Sequence, residues 1–260
     1  MLYIPTLLVA VMGLLKTSSA QDNYPPPASS GNSDYNVSAP TGYFGVSFGF
    51  AQPIGTFASQ PNGSYSGYAL PGYDIDLSLG LPINHSNIGV AFMYGSIVNN
   101  FDMDTYVSNV AESDPSRSYQ SFNQDVYNEN LLMAGLFVTF PFNRLSIDAR
   151  ALVGVSFCYL PEIDYGASVY DPSILGYDNY EWDTYSSRST SFAYGLGVDL
   201  RYKLRRVSFT LGVDVVSTTA TVSTQQQYTD PNGDLSYTHI SGNVPISLIN
   251  TNIGFAYQIR

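Results

Sequence analysis

Apolar and polar side chains alternate strictly in the middle of the chain, along the second half of residues 130–160. From Ile147 to Tyr159 every second residue is apolar, whereas the positions between them include Asp148 and Arg150. A period of two over this length predicts a β-strand. A soluble sheet would pack the apolar face on a core. A membrane barrel would turn that face to lipid and keep the charges in its lumen.

The same alternation predicts eight β-strands, each with a nearly continuous apolar face and a face of small or polar residues. They cover residues 43–52, 72–82, 88–98, the two strands of the 130–160 hairpin, 189–202, 207–218 and 246–260. Their lengths suit the ~9–11 residues of a tilted membrane strand, whereas strands of soluble proteins average about 5–6. Length and pattern together favour a transmembrane barrel.

The connections between the predicted strands alternate in length. Short turns fall at residues 83–87, 142–144 and 203–206, and long loops at residues 53–71, 99–129, 161–188 and about 219–243. The second and third long loops each hold six acids and one Arg. The short turns hold no acid, and their bases are Arg144, Lys203, Arg205 and Arg206. A barrel inserted from one side has tight periplasmic turns and long outer loops, so the alternation supports the membrane interpretation.

Together these features predict an all-β fold, an eight-stranded antiparallel up-and-down transmembrane β-barrel with long outer loops and short periplasmic turns. The barrel is expected over residues 42–260, after a signal peptide at residues 1–20 and a flexible polar N-terminal segment at residues 21–41. The apolar run at residues 7–15 is shorter than the ~20 residues of a membrane span. It precedes a small-residue cleavage site at residues 18–20. The expected location is the bacterial outer membrane.

Composition narrows the choice of function. The formal net charge of −11 argues against nucleic acid as a partner, because the chain offers no basic patch. The single cysteine, Cys158, excludes an internal disulfide framework. The acids within residues 102–104 and 230–234 do not follow the EF-hand spacing, so neither a metal nor a cofactor is expected.

Four segments carry a family resemblance. They are GYFGVSFGFAQPIGTF at residues 42–57, DLSLGLPIN at 76–84, LFVTFPFNRLSIDARALVG at 136–154 and NIGFAYQI at 252–259. With these segments the chain resembles the small eight-stranded outer-membrane β-barrels of the OmpA and OmpX type. In detail it is similar to the PorT-like outer membrane protein β-barrel domain typical of Bacteroidetes. The resemblance implies an architecture, with outer-membrane lipid and the barrel-assembly machinery as partners, rather than one activity.

The interior of an eight-stranded barrel is just wide enough to be filled by side chains. The polar faces of the predicted strands give that lumen a set of charged residues: Asp74, Asp76, Asp148, Arg150, Asp199, Arg201, Asp214 and Arg260. Because buried charges are tolerated only when paired, we expect these groups to form an ion-pair network that closes the barrel. A narrow ion path, as in a porin for small solutes, is the alternative.

The chain offers little for catalysis. Of its two histidines, His85 lies in a predicted periplasmic turn and His239 in the last long loop, near Ser236, Ser241 and Asp234. One G-x-S-x-G spacing occurs, at residues 45–49, but it lies inside the first predicted strand rather than at the strand-to-helix turn that this motif needs. We therefore assign no catalytic residue and expect no enzymatic activity. An outer-membrane lipid or peptide hydrolase with His239 at the outer rim is kept as an alternative.

The third long loop combines six acids with a set of aromatic residues: Tyr165, Tyr170, Tyr177, Tyr180, Trp182 and Tyr185. Tyrosine and tryptophan give rigid contact area and are favoured in recognition surfaces. Some of these rings could instead belong to the aromatic girdle of a membrane barrel. The sequence predicts a structural or surface-interaction role, in which the second and third loops bind a partner protein, a glycan or a cationic ligand.

Overall fold

The computed structural model describes residues 41–60, 66–84, 86–122 and 125–259. The predicted signal peptide, nearly all of the polar N-terminal segment, His85 and Arg260 lie outside these residues. The strands are β1 Gly42–Pro53, β2 Ala69–Pro82, β3 Ile88–Phe101, β4 Ser118–Ser121, β5 Val126–Phe142, β6 Leu145–Leu160, β7 Ile163–Asp171, β8 Gly176–Thr184, β9 Ser187–Leu204, β10 Val207–Thr229 and β11 Leu235–Ile259. A 3₁₀ turn covers Gly55–Phe57, and one helix, α1, covers Met103–Ser113.

Eight of the strands close into an antiparallel barrel. Neighbours in the ring follow chain order, β1-β2-β3-β5-β6-β9-β10-β11, and β11 returns to pair with β1. The closing ladder runs without a break from Gly42 opposite Ile259 to Pro53 opposite Leu248. The predicted eight-stranded up-and-down barrel is therefore confirmed.

The outside of the barrel is an apolar belt. Alternate residues of each strand point outward, and they include Phe50 at 72% exposure and Leu196 at 65%. Their neighbours on the same strands point inward and are buried, as Ala51 and Ala193 illustrate. A soluble sheet would cover such a face with other elements, so this exterior is that of a barrel surrounded by lipid. Among the described residues, no helix is long and apolar enough to cross a bilayer.

The barrel has tight turns at one end. Strands β5 and β6 are joined by Asn143 and Arg144, and strands β9 and β10 by Arg205 and Arg206. Asn143 and Arg205 take left-handed backbone angles, with φ of 58° and 57°. Such angles reverse the chain within two residues, and asparagine accepts them more readily than most residues do. The three turns at this end match the predicted short connections.

The sequence predicts loops for the long connections at the other end. In the structure these connections carry regular secondary structure instead. Strands β10 and β11 run on through residues 219–243 and are joined only by residues 230–234. The third connection is the β7–β8 hairpin, and the second contains α1 and β4. The hairpin pairs with the end of β10 and with β4, which extends the sheet beyond the barrel in the order β11-β10-β8-β7-β4. We call α1, β4, β7, β8 and residues 219–243 the cap.

An aromatic and aliphatic core fills the outer half of the barrel and continues into the cap. Asp102 caps α1 by accepting a hydrogen bond from Thr105 N at 3.1 Å. Met103 and Val107, one turn apart on that helix, are buried. They belong to a core with rings from the barrel strands and the outer connections: Phe57, Tyr68, Phe101, Tyr127 and Tyr165. The outer end of the lumen is thus packed with side chains.

Candidate functional site

The lumen contains the charged residues expected from the polar faces of the strands. The seven described members of that set are at most 8% exposed: Asp74, Asp76, Asp148, Arg150, Asp199, Arg201 and Asp214. The eighth, Arg260, lies outside the described residues. The neighbouring strands β6 and β9 bring two acids directly opposite each other, Asp148 and Asp199. Their arginines stand two residues away on the same inner face, so each can reach the acid across the ladder.

Two arginines organise the ion pairs. Arg150 bonds Asp199 through Nη1 at 2.9 Å and Asp214 through Nε and Nη2 at 2.9 and 2.6 Å. Arg201 pairs with Asp148, and its guanidinium stacks on the ring of Tyr43 at 3.7 Å. A two-pronged arginine–carboxylate contact is among the strongest hydrogen-bonded pairs, which suits a buried site. These contacts tie β6, β9 and β10 together across the lumen.

Acids outnumber arginines in this part of the lumen, and an amide bridges two of them. Asn252 donates from Nδ2 to Asp76 at 3.4 Å and to Asp214 at 3.2 Å. The space bounded by Asp76, Arg150, Asp199 and Asn252 is about 10 Å³, which is about the room of one water. The interior at this level is therefore packed around the ion pairs of Arg150 and Arg201, whereas the expected ion pair of Asp74 is absent among the described residues.

Glycine makes room for the network, a signal that our sequence interpretation did not use. A Cβ atom built on Gly197 would meet the Asp214 carboxylate and lie 2.8 Å from Arg150 Nε. One built on Gly49 would lie 2.7 Å from Asp74 Oδ1. Inward-facing glycines that stand beside charged residues of neighbouring strands thus mark where large side chains occupy the lumen.

A second polar group lies nearer the cap, where the sequence had suggested only the end of a loop. Glu129 is buried and accepts a hydrogen bond from Ser156 Oγ at 2.6 Å. Cys158 is Glu129's direct partner across the β5–β6 ladder and is a buried free thiol. A charged residue at the end of an alternating run could have been assigned to the lumen, because Glu129 keeps the inward parity of Leu131.

Stacked rings hold the cap together. We call Tyr119, Tyr165, Tyr180, Trp182 and Tyr228 the aromatic ladder, which joins β4, β7, β8 and β10. Tyr165 and Trp182 stack at 5.2 Å, and Trp182 packs against Tyr228 at 5.3 Å. Arg117 lies over the Tyr180 ring at 4.6 Å. Tyr165, which the sequence suggested for a recognition surface, is only 7% exposed and packs against α1 through Tyr106. The structure therefore places Tyr165 inside the cap rather than on an exposed surface.

The other face of the β7–β8 hairpin is acidic and tyrosine-rich. We call Glu162, Asp164, Glu181, Asp183, Tyr170 and Tyr177 the acidic face. Tyr170 and Tyr177 form an exposed edge-to-face pair at 5.4 Å. Beside this face Tyr185 donates a hydrogen bond to Gln227 Oε1 at 2.7 Å. The predicted recognition residues thus divide between the two faces of one hairpin.

Like charges meet directly on the acidic face. Asp164 and Asp183 are opposite each other in the β7–β8 ladder. Partial burial raises the pKa of Asp164, and repulsion from the neighbouring acids raises it further. Burial also raises the pKa of Asp183 and of Glu162, the latter with added repulsion from Asp183. The face therefore holds negative charge that its own cap does not neutralise.

Among the described residues, strand β11 has an unpaired edge in the cap. Its pairing with β1 begins at Leu248, and Ser247 O accepts a hydrogen bond from Ile54 N at 2.9 Å, whereas residues 235–246 pair in register only with β10. We call residues 235–243 the free edge; they contain no charged side chain and no proline. Tyr237 is 56% exposed there. Long uncharged edges are templates for pairing with another strand.

His239 lies on this free edge, exposed to solvent and opposite Gln225 of β10. Among the described residues no serine or carboxylate is hydrogen-bonded to it. In the same ranges of the chain, no group of three or more His, Cys, Asp or Glu side chains is arranged to hold a metal ion.

No protein-family model matches the chain, and no curated protein matches it. Among solved structures, it is similar to a major outer membrane protein from Thermus thermophilus, at 14% identity over 83% of this chain and 98% of that one, with a TM-score of 0.45. It is also similar to Neisserial surface protein A, at 14% identity over 84% and 96%, with a TM-score of 0.44. The attachment invasion locus protein Ail of Yersinia pestis, solved with the heparin analogue sucrose octasulfate, matches at 12% identity over 84% and 99%, with a TM-score of 0.38.

The ion-pair network predicts a sharp difference between two glycine substitutions. Gly197→Ala should destabilise the barrel by about 1–3 kcal/mol, because the new methyl group displaces the Asp214–Arg150 contact. Gly242→Ala, where a Cβ atom meets nothing within 4 Å, should leave stability nearly unchanged. Urea unfolding midpoints of both variants in detergent measure the effect, and equal midpoints would contradict the packed-network interpretation.

The acidic face predicts that the cap becomes more stable as the pH falls. Because the folded-state pKa values of Asp164, Asp183 and Glu162 are raised, the folded cap binds more protons than the unfolded chain. Its stability should therefore rise as the pH falls from neutral toward the ordinary carboxyl pKa values of about 4. Urea titrations followed by the fluorescence of Trp182, the single tryptophan, measure this change.

The control for the pH effect compares acids whose pKa values are raised with an acid whose pKa is lowered. The double variant Asp164→Asn with Asp183→Asn should flatten the pH dependence. Asp230→Asn should not, because the backbone N–H of Asp234 lowers the pKa of that exposed turn carboxylate. The same pH slope in the wild type and in the double variant would show that the acidic face is not its source.

Proposed function

We propose that the protein is an outer-membrane β-barrel of a bacterium whose cap stands outside the cell and binds an extended, basic segment of a partner protein. The apolar belt supports insertion in a membrane. The tight turns at one end and the structured connections at the other support insertion with the turns toward the periplasm. The apolar run followed by small residues at the start of the sequence supports export by a signal peptide.

The free edge supports a partner that binds as a β-strand. Most proteins protect such an edge with charge, proline or a short strand, whereas residues 235–243 hold none of these devices. An added strand would satisfy the edge's backbone groups with main-chain hydrogen bonds, and the alternate side chains would give specificity. The observation that carries the proposal is this uncharged edge beside exposed Tyr237.

The acidic face supports a basic partner. By strand parity, Tyr237 and His239 of the free edge share a sheet face with Gln227 of β10 and with Asp183 and Glu181 of β8. Two strand spacings, about 10 Å, separate the edge from those acids. A docked segment would lie one strand spacing further out, so its arginine or lysine side chains would be attracted to these acids at long range, which would speed and orient binding. The proposal assigns the cap no enzymatic activity.

Binding can be tested with peptides on immobilised, detergent-folded protein. Ten-residue peptides that alternate valine with lysine should be retained, and the matched valine–glutamate peptides should not, because the acidic face repels them. Tyr237→Ala should weaken retention severalfold by removing exposed contact area beside the edge. Surface plasmon resonance measures both.

A matched tyrosine provides the control. Tyr73→Ala removes the same side chain from the apolar belt, on β2 and outside the free edge, and should leave retention unchanged. Equal retention of the basic and acidic peptides, or an equal loss in Tyr73→Ala and Tyr237→Ala, would rule out binding at this edge.

A narrow porin remains the alternative function. The packed lumen predicts that the barrel does not conduct ions. The ion-pair network around Arg150 fills the middle of the lumen, and the core around Phe57 fills its outer half. We expect purified protein in planar bilayers to show no stable single-channel currents. Stable currents through the wild type would instead support the porin and would show that the network opens.

A further inference from the structure

A cavity of about 50 Å³ opens at the turn end of the lumen, opposite the cap. It is lined by groups from β5, β6, β9 and β11 and from the β5–β6 turn. Its polar lining residues include Thr139, Arg144, Ser146, Arg201, Lys203 and Gln258. A water needs about 10–15 Å³ of such space, so the cavity has room for several waters or for one small oxyanion.

Three basic residues converge on this cavity. Ser146 is Arg201's direct partner across the β6–β9 ladder, and the Lys203 backbone N–H donates to the Arg144 carbonyl at 2.7 Å. The register therefore holds all three bases at the same end of two adjacent strands. Among the described residues, the wall of the cavity holds no acid. Basic side chains thus predominate among the described lining residues, whereas acids are in excess deeper in the lumen.

Arg201 is both buried and incompletely satisfied. Its Nη2 pairs with Asp148, which lies deeper in the lumen, whereas its Nε has no hydrogen-bond acceptor among the described residues. The residue is only 7% exposed. Leaving a buried charged donor unpaired is costly, and an anion near the cavity would offset that cost.

We propose that this cavity binds a phosphate group. The guanidinium of Arg201 and the charges of Lys203 and Arg144 fit an oxyanion of more than one charge. The hydroxyls of Thr139 and Ser146 offer further donors. The phosphate group has two accessible sources, free phosphate in the compartment that the turns face and the headgroup of a lipid at the barrel rim. This site goes beyond the cap's function and does not depend on it.

The test uses the full-length, detergent-folded protein. Inorganic phosphate should raise the unfolding temperature saturably, whereas chloride at the same ionic strength should not, because screening alone does not depend on the anion. Lys203→Gln should weaken phosphate binding, measured by calorimetry, by about tenfold, the usual effect of losing one charge-assisted contact. Arg144→Gln provides a second variant in an exposed turn, where folding is not at risk.

The control variant removes one positive charge close to the cavity but outside its wall. Arg205→Gln lies in the adjacent β9–β10 turn and does not line the cavity, so phosphate affinity should fall less than about twofold. A loss in Arg205→Gln equal to that in Lys203→Gln, or equal stabilisation by phosphate and chloride, would overturn the proposal.

The lipid composition of nanodiscs distinguishes free phosphate from a lipid headgroup as the source of the phosphate group. Protein in nanodiscs of phosphatidylcholine is compared with protein in nanodiscs that also contain phosphatidic acid, whose phosphate is a terminal monoester. Stabilisation by phosphatidic acid that is lost in Lys203→Gln assigns the site to a headgroup. Stabilisation by inorganic phosphate in both nanodiscs assigns it to free phosphate. Absence of both effects would contradict the site.

Discussion

Closure of the sheet is the constraint on which this structure depends. In lipid every backbone N–H and C=O must find a partner within the protein, and a sheet can meet that demand only when it has no edge. The β1–β11 ladder removes the last edge of the barrel. On the N-terminal side of Leu248, toward the cap, the chain is no longer bound by that demand, and there β11 parts from β1 and has one edge without a partner among the described residues. The same strands therefore belong to a closed sheet in the barrel and to an open sheet in the cap.

Closing eight strands leaves a narrow interior, and that interior determines which side chains the inner faces can carry. Some of the charged groups fit because a glycine stands opposite, as Gly197 does for Asp214 and Arg150. The outer half is filled by rings and aliphatic groups, several of them from connections that lie outside the membrane strands. The ion pairs and the core pack the lumen by different chemistry at different depths, and the two binding sites proposed above lie at the two ends of the barrel.

The barrel could be predicted from the sequence because lipid outside and a narrow lumen inside impose a strict period of two. The cap could not, because its strands stand in water. Residues 219–229 are mostly threonine, serine and glutamine, so no apolar face identifies them as a strand. The ion-pair partners of the lumen residues could not be predicted from the sequence either. Alternation assigned Arg150 to the lumen, but only the register between β6, β9 and β10 brings it to Asp199 and Asp214. The same holds for Tyr165, whose burial depends on α1 packing beside it.

The aromatic ladder joins strands from three different connections, so the cap cannot change one connection without disturbing the others. Sequence variation there should be confined to points where the chain leaves the shared sheet. Two such points are the turn at Ile174 and Leu175, which are 61% and 81% exposed, and the turn at Asn232 and Gly233. Foreign peptides inserted at either turn would be carried on a rigid platform, clear of the membrane. With the cap outside the cell, as proposed, the protein would offer a scaffold for displaying epitopes at fixed spacing on a cell surface.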